Sequence, residues 1–203
     1  MKFSKTTLQS PAFVMRAVIS VFLLISLICF FFPLVTLQLN NDNTLVGIVD
    51  WIVDLFGGEM PKPRHLSGIQ LILAFTETDT IDEALNIGPL PCNAYVLISF
   101  LCTVLAVVML WCSWKRPWHL LVSSAASFVS AISMIIFKPR FVGYYTAYTK
   151  NGGDRFHNLF EDSRMVLLTE PALIVAIIFL CLAFMVSFMF YFNAKNDPFF
   201  RGE

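Results

Sequence analysis

Charge is scarce in this chain. Asp, Glu, Lys and Arg make up 14% of its 203 residues, and they cancel to a formal net charge of zero. Soluble domains carry about a quarter of their residues as charges, so a water-facing surface over the whole chain is excluded. The missing basic excess also removes nucleic acid from the expected partners, because phosphate backbones select for clustered Lys and Arg. Cysteine is sparse too. Cys29, Cys92, Cys102, Cys112 and Cys181 form no CxxC pair, so neither a disulfide framework nor a zinc site follows. Cys29, Cys102 and Cys181 fall inside apolar runs and read as small packing residues. No catalytic or cofactor-binding signature is present. No cofactor or resident metal is expected, and the chain is not expected to be an enzyme.

What the chain does have is apolar length. Hydrophobic residues are 57% of the total, and mean hydropathy is +0.72. The centre of the sequence shows why. Residues 95–111 and 118–137 are two apolar runs joined by a short connector, Cys112-Ser113-Trp114-Lys115-Arg116-Pro117. Neither run holds an Asp, Glu, Lys or Arg, and His119 sits at an edge. A bilayer core about 30 Å thick takes roughly 20 apolar residues in helical form, since lipid offers unpaired backbone groups no partner. The connector is too short to house a domain, so the two runs are expected as antiparallel transmembrane neighbours. Lys115 and Arg116 among Trp111, Trp114 and Trp118 read as a cytoplasmic interface with an aromatic belt.

Two further runs complete the set. Residues 1–16 read as a polar tail, and residues 17–37 as a first span that is too long for a signal peptide and lacks a cleavage site. Pro33 falls near its far end, where helix termination costs least. Pro171 suits the first turn of a last span, 172–191. The expected fold is therefore an all-α membrane protein, one membrane domain over residues 1–203. Its four-helix transmembrane bundle has spans near 17–37, 94–112, 118–137 and 172–191. Two large loops, 38–93 and 138–171, are expected to form an extracytoplasmic cap.

The first loop carries eight acidic residues against Lys62 and Arg64. Within it, residues 45–56 are apolar but too short to span, which predicts an interfacial or re-entrant helix. Asp50 and Asp54 lie on one face of that helix, a solvated stripe beside Trp51. Ser67 is placed to cap a short helix beginning at Gly68.

Pro33-Leu34-Val35-Thr36, followed some thirty residues later by Leu66-Ser67-Gly68-Ile69-Gln70-Leu71, resembles a group of small bacterial multi-span membrane proteins. Their pattern is Pro-Phe-Val-Thr/Ser-Val-Ser-Cys and then Ser-Gly-x-Gln-Leu. Leu37-Gln38 stands here where the group has Ser-Cys. The resemblance implies a bacterial inner-membrane protein and brings no activity with it.

The third span is rich in serine. Ser123, Ser127 and Ala131 fall at i, i+4 and i+8, with Ser130 beside them. Small residues at that spacing let helices approach closely, so this face is expected to be a helix-packing seam; a polar pore lining is the alternative. In the second loop, Tyr144, Tyr145 and Tyr148 precede an Asn151-Gly152 turn, and residues 144–149 read as a short strand of a hairpin. Asp50, Trp51, Asp54, Tyr144, Tyr145 and Tyr148 are the candidate loop interaction surface. His157, Glu161 and Asp162 have metal-ligand residue types, but such groups are common in loops.

Four spans put both termini and the connector on one side. That side holds seven Lys and Arg in far fewer residues than the seven on the loop side, which places the termini in the cytoplasm. Three functional readings remain, in descending order of support. The first is a non-enzymatic structural, accessory or sensory subunit. It would bind a protein partner, or a second copy of itself, through the loops. The second is a small oligomeric channel or transporter lined by the serine face. The third is a membrane enzyme acting on lipid through His65 or His157.

Overall fold

The computed structural model describes residues 11–39, 64–73, 92–112, 117–152 and 165–196. Four helices in it are long and apolar enough to cross a membrane, the mark of an integral membrane protein. They are α1 (Pro11–Cys29), α3 (Ala94–Cys112), α4 (Trp118–Gly152) and α5 (Pro171–Asn196). A shorter helix, α2 (Gly68–Leu73), lies between α1 and α3 in sequence. Side chains such as Val21, Ile28, Leu101, Ile135, Met185 and Met189 stand exposed along the outside of the long helices. Water would not tolerate so much contiguous apolar surface, whereas lipid is its natural neighbour.

α4 is the central helix. More than half of its span is buried, against 28% for α3. It packs against α3 on one side and α5 on the other, and α1 closes the bundle against α5 and α3. The residues that meet in the middle are small or large by turns: Ala126, Ala131, Ala176 and Ala183 alternate with Phe137, Phe190, Leu110 and Leu180.

The helices are not the whole fold. Three strands, β1 (Pro33–Leu39), β2 (Arg64–Ser67) and β3 (Met165–Thr169), form an antiparallel sheet in the order β2-β1-β3. The all-α expectation is corrected to this extent: a small sheet sits at the loop end of the bundle. Its middle strand is the stretch that apolarity alone assigns to the first span. That span is moved as well, with its helix running over Pro11–Cys29 instead of 17–37. The cause is Pro33. It cannot donate a backbone hydrogen bond, and its ring pushes Phe32 out of the helical region. The last turn tightens before it: Phe30, Phe31 and Phe32 each donate to the carbonyl three residues back, at 3.1, 3.0 and 3.1 Å. Beyond that point the chain is extended.

α1 also starts inside the stretch read as a polar tail, with Pro11 in its first turn. This draws Arg16 into the bundle, where it is buried. Its Nη1 donates to the Leu110 carbonyl at 2.9 Å. Leu110 lies in the last turn of α3, whose carbonyls have no partner within the helix, so the cation meets the negative end of a helix dipole. Trp111 Nε1 donates to Ser20 Oγ at 2.8 Å one turn away, which ties α1 to α3 at the connector end.

α4 corrects the second loop. It does not stop at Lys138 but continues as helix to Gly152, through Pro139. Tyr144, Tyr145 and Tyr148 are therefore helical, and residues 144–149 are not a hairpin strand. Phe137 and Phe141, one turn apart on either side of the proline, pack ring to ring at 5.5 Å and are both buried. That contact holds the helix together across the lost backbone bond.

Candidate functional site

Polar side chains converge at two places. The first is within the bundle, between α3 and α4. Ser99 and Ser130 face each other there: their hydroxyls lie 2.7 Å apart, and each is within 3.1 Å of the other residue's carbonyl. Thr103 Oγ1 is 2.8 Å from Ser130 Oγ and 2.8 Å from the Ser99 carbonyl. Three hydroxyls thus share their protons among themselves and two carbonyls. About two turns on, Ser123 Oγ donates across to the Ala106 carbonyl at 2.9 Å, while Ser127 Oγ donates back to the Ser123 carbonyl of its own helix at 2.9 Å. Ser124 reaches the other way, to the Phe184 carbonyl of α5 at 3.3 Å. Ser123, Ser127, Ser130 and Ala131 are all buried. Sequence reasoning singled out the α4 side of this contact but not Ser99 and Thr103, although their i, i+4 spacing in the second span was the same signal.

The second place is the junction of the sheet with the bundle. Thr36 on β1 stands directly opposite His65 on β2, and cross-strand partners point to the same face. Thr36 Oγ1 lies 2.7 Å from His65 Nδ1 and donates to Glu170 Oε1, and His65 Nδ1 is 3.6 Å from that same carboxylate oxygen. A hydroxyl has one proton. Since Thr36 gives it to Glu170, it accepts from His65, and Nδ1 is the protonated ring nitrogen. Glu170 is the residue between β3 and α5, and its own N–H donates to the Leu34 carbonyl at 3.1 Å. Next to it, Lys138 of α4 donates to Thr169 Oγ1 at 2.7 Å. The array therefore joins β1, β2, the start of α5 and α4.

A Thr-His-Glu grouping has the residue types of a nucleophile relay, but here the hydroxyl is buried and already holds both partners. It works as a clasp between strands. Replacing Thr36 by valine keeps the shape and removes the clasp. An unpaired buried group costs about 1–3 kcal/mol, and water can reach the exposed His65, so the expected loss lies near the lower end. A double-mutant cycle of Thr36→Val with His65→Ala, read by thermal melting in detergent, checks it. Full additivity of the two would show that no shared interaction exists.

Sequence reasoning missed this array because its members are spread from position 36 to 170. Only the resemblance motif pointed at Thr36, and although His65 and the Ser67 cap were singled out separately, nothing along the chain joined them to Glu170. Among the described residues, no three His, Cys, Asp or Glu side chains converge as a metal site. No protein-family model, curated protein or solved structure matches this chain. Of the candidate loop surface, Asp50, Trp51 and Asp54 lie outside the described residues, as do His157, Glu161 and Asp162. Tyr144, Tyr145 and Tyr148 lie on the extension of α4 beyond its span.

The 66–71 motif has a structural account of its own. Ser67 Oγ accepts from the Gln70 N–H at 3.3 Å, and Gln70 Oε1 accepts from the Ser67 N–H at 2.9 Å. This is a reciprocal capping box that starts α2. Asn93 caps α3 one way, its Oδ1 accepting from the N–H groups of Tyr95 and Val96 at 3.1 and 3.2 Å.

Proposed function

We propose that this protein is a non-enzymatic integral membrane subunit, structural, accessory or sensory, that engages a protein partner through its extracytoplasmic loops. The observation that supports it best is how the polar groups are used. The hydroxyls of Ser99, Thr103, Ser123 and Ser130 bond one helix to the next, and Thr36, His65 and Glu170 bond strand to strand. Neither set is left free to act on a substrate. The serine face is, on this reading, a packing seam. The candidate partner surface is Asp50, Trp51 and Asp54 with Tyr144, Tyr145 and Tyr148. Purification in mild detergent should retain a defined protein partner, or a second copy of the chain, and substitution of Trp51 or Tyr148 by alanine should release it. A pure, monomeric protein that turns over lipid would sink the reading.

The proposal includes a bacterial inner membrane, on the resemblance of the 33–36 and 66–71 stretches, with both termini cytoplasmic, on the density of Lys and Arg at the connector end. Cysteines engineered one at a time at Asp79 and Phe200, with the exposed native Cys92 and Cys112 replaced by serine, test the sidedness in intact cells with an impermeant thiol reagent. Reaction at 79 and protection at 200 is expected; the opposite pattern inverts the topology.

A channel formed by oligomers is the second reading. Ser187 on α5 favours it, with a fully buried hydroxyl that has no hydrogen-bond partner among the described residues. Unpaired buried hydroxyls are uncommon in packed interfaces, and a water path reaching Ser187 would supply the missing partner.

A further inference from the structure

We propose that the loop end of the bundle is seated in the bilayer interface, with Phe31, Phe32 and Leu73 inserted into lipid. These three are strongly exposed apolar side chains, at 69%, 56% and 71%. Their level relative to the membrane follows from backbone bonds. The Ile69 N–H at the start of α2 donates at 3.0 Å to the carbonyl of Phe30, in the turn that ends α1. Three residues from Gly68, the Leu71 carbonyl accepts at 2.8 Å from the N–H of Asn93, the residue that caps α3. α2 thus bridges the loop-side ends of two membrane-crossing helices, and lies at their level instead of above it. It turns Gly68 and Leu71 inward, where both are buried, and Leu73 outward.

The occupant of that outward face follows from continuity. Val14, Val18, Val21, Leu24 and Ile28 form an exposed stripe along α1 at spacings of three and four, the lipid-facing side of a membrane helix. Phe31 is the next member of the same stripe, and Phe32 and Leu73 extend it around the end of the bundle. Among the described residues, nothing covers them. Large apolar side chains at the edge of the hydrocarbon region gain burial without leaving the interface. The inference stands apart from any protein partner. It assigns the turn between α1 and β1, and the end of α2, a bilayer contact, whatever the remaining loop residues bind.

The test uses spin labels on the full chain in nanodiscs of a zwitterionic phospholipid. Phe31→Cys and Leu73→Cys are labelled one at a time, with the exposed native Cys92 and Cys112 replaced by serine. Val21→Cys serves as the mid-span lipid reference. Collisions with dissolved oxygen are expected to exceed those with a water-soluble nickel chelate at 31 and 73, as at 21, by a smaller margin. Nickel collisions exceeding oxygen at both positions would place them in water and overturn the proposal. Suppression of both collision rates would mean protein covers them, a second copy in this preparation, and would overturn it equally.

Discussion

Gly68→Ala is expected to destabilise the protein by roughly 1–3 kcal/mol, although alanine is the better helix former. A Cβ at position 68 would lie 2.8 Å from the Phe30 ring, 2.9 Å from the Phe30 carbonyl oxygen and 3.0 Å from a Leu34 methyl. The ring and the methyl can rotate away. The carbonyl oxygen cannot, because it accepts from the Ile69 N–H, the very next residue. Moving it breaks that bond, at about 1 kcal/mol, and overpacking a buried site costs about 1–3 kcal/mol. Against this stands a helix-propensity gain of at most about 1 kcal/mol, so the clash wins. Thermal melting in detergent measures the result. A variant that melts with the parent would show that β2 and α2 do not press on the end of α1, and would undo the account of how the sheet is joined to the bundle.

The second large effect is expected at Ser127, and it separates a packed bundle from a channel. Ser127 is fully buried on α4, and its hydroxyl is bonded within its own helix. Leucine there would drive two more heavy atoms into a closed contact, at about 1–3 kcal/mol. Lower melting temperature or lower yield in detergent is the expected outcome. Ser127→Cys is the complementary probe, nearly the same size as serine. In a seam its thiol stays silent toward a small water-soluble reagent; beside a water path it reacts. A stable leucine variant together with a readily labelled cysteine variant would transfer the serine face from packing to conduction. Ser187, whose buried hydroxyl has no partner among the described residues, is then the next position to label.

The spans were legible from the sequence because membrane crossing is a one-dimensional requirement. Roughly 20 uncharged apolar residues are needed in a row, and residues 118–137 meet it by themselves, as do 94–112 with their flanks. The connector was legible for the same reason: six residues leave two helices no choice but to lie side by side. Hydropathy failed where two structures share a composition. Residues 33–37 are as apolar as the helix before them, and only the placement of Pro33 distinguishes the strand. Lys138-Pro139-Arg140 looked like an end, and was overridden by a pair of phenylalanines one turn apart, which packing alone reveals.

Apolar length, a local property, determined that the described residues hold four helices long and apolar enough to cross a membrane, but not where the first begins and ends or how far the third continues. Tertiary structure decided what happens between them. β1 became the middle of a sheet because two strands from distant parts of the chain, 64–67 and 165–169, arrived on its two edges. Thr36, His65 and Glu170 became one hydrogen-bonded group for the same reason. Contacts across 29 and 134 residues of sequence leave no periodicity along the chain, since backbone pairing selects residues by position in space and not by interval.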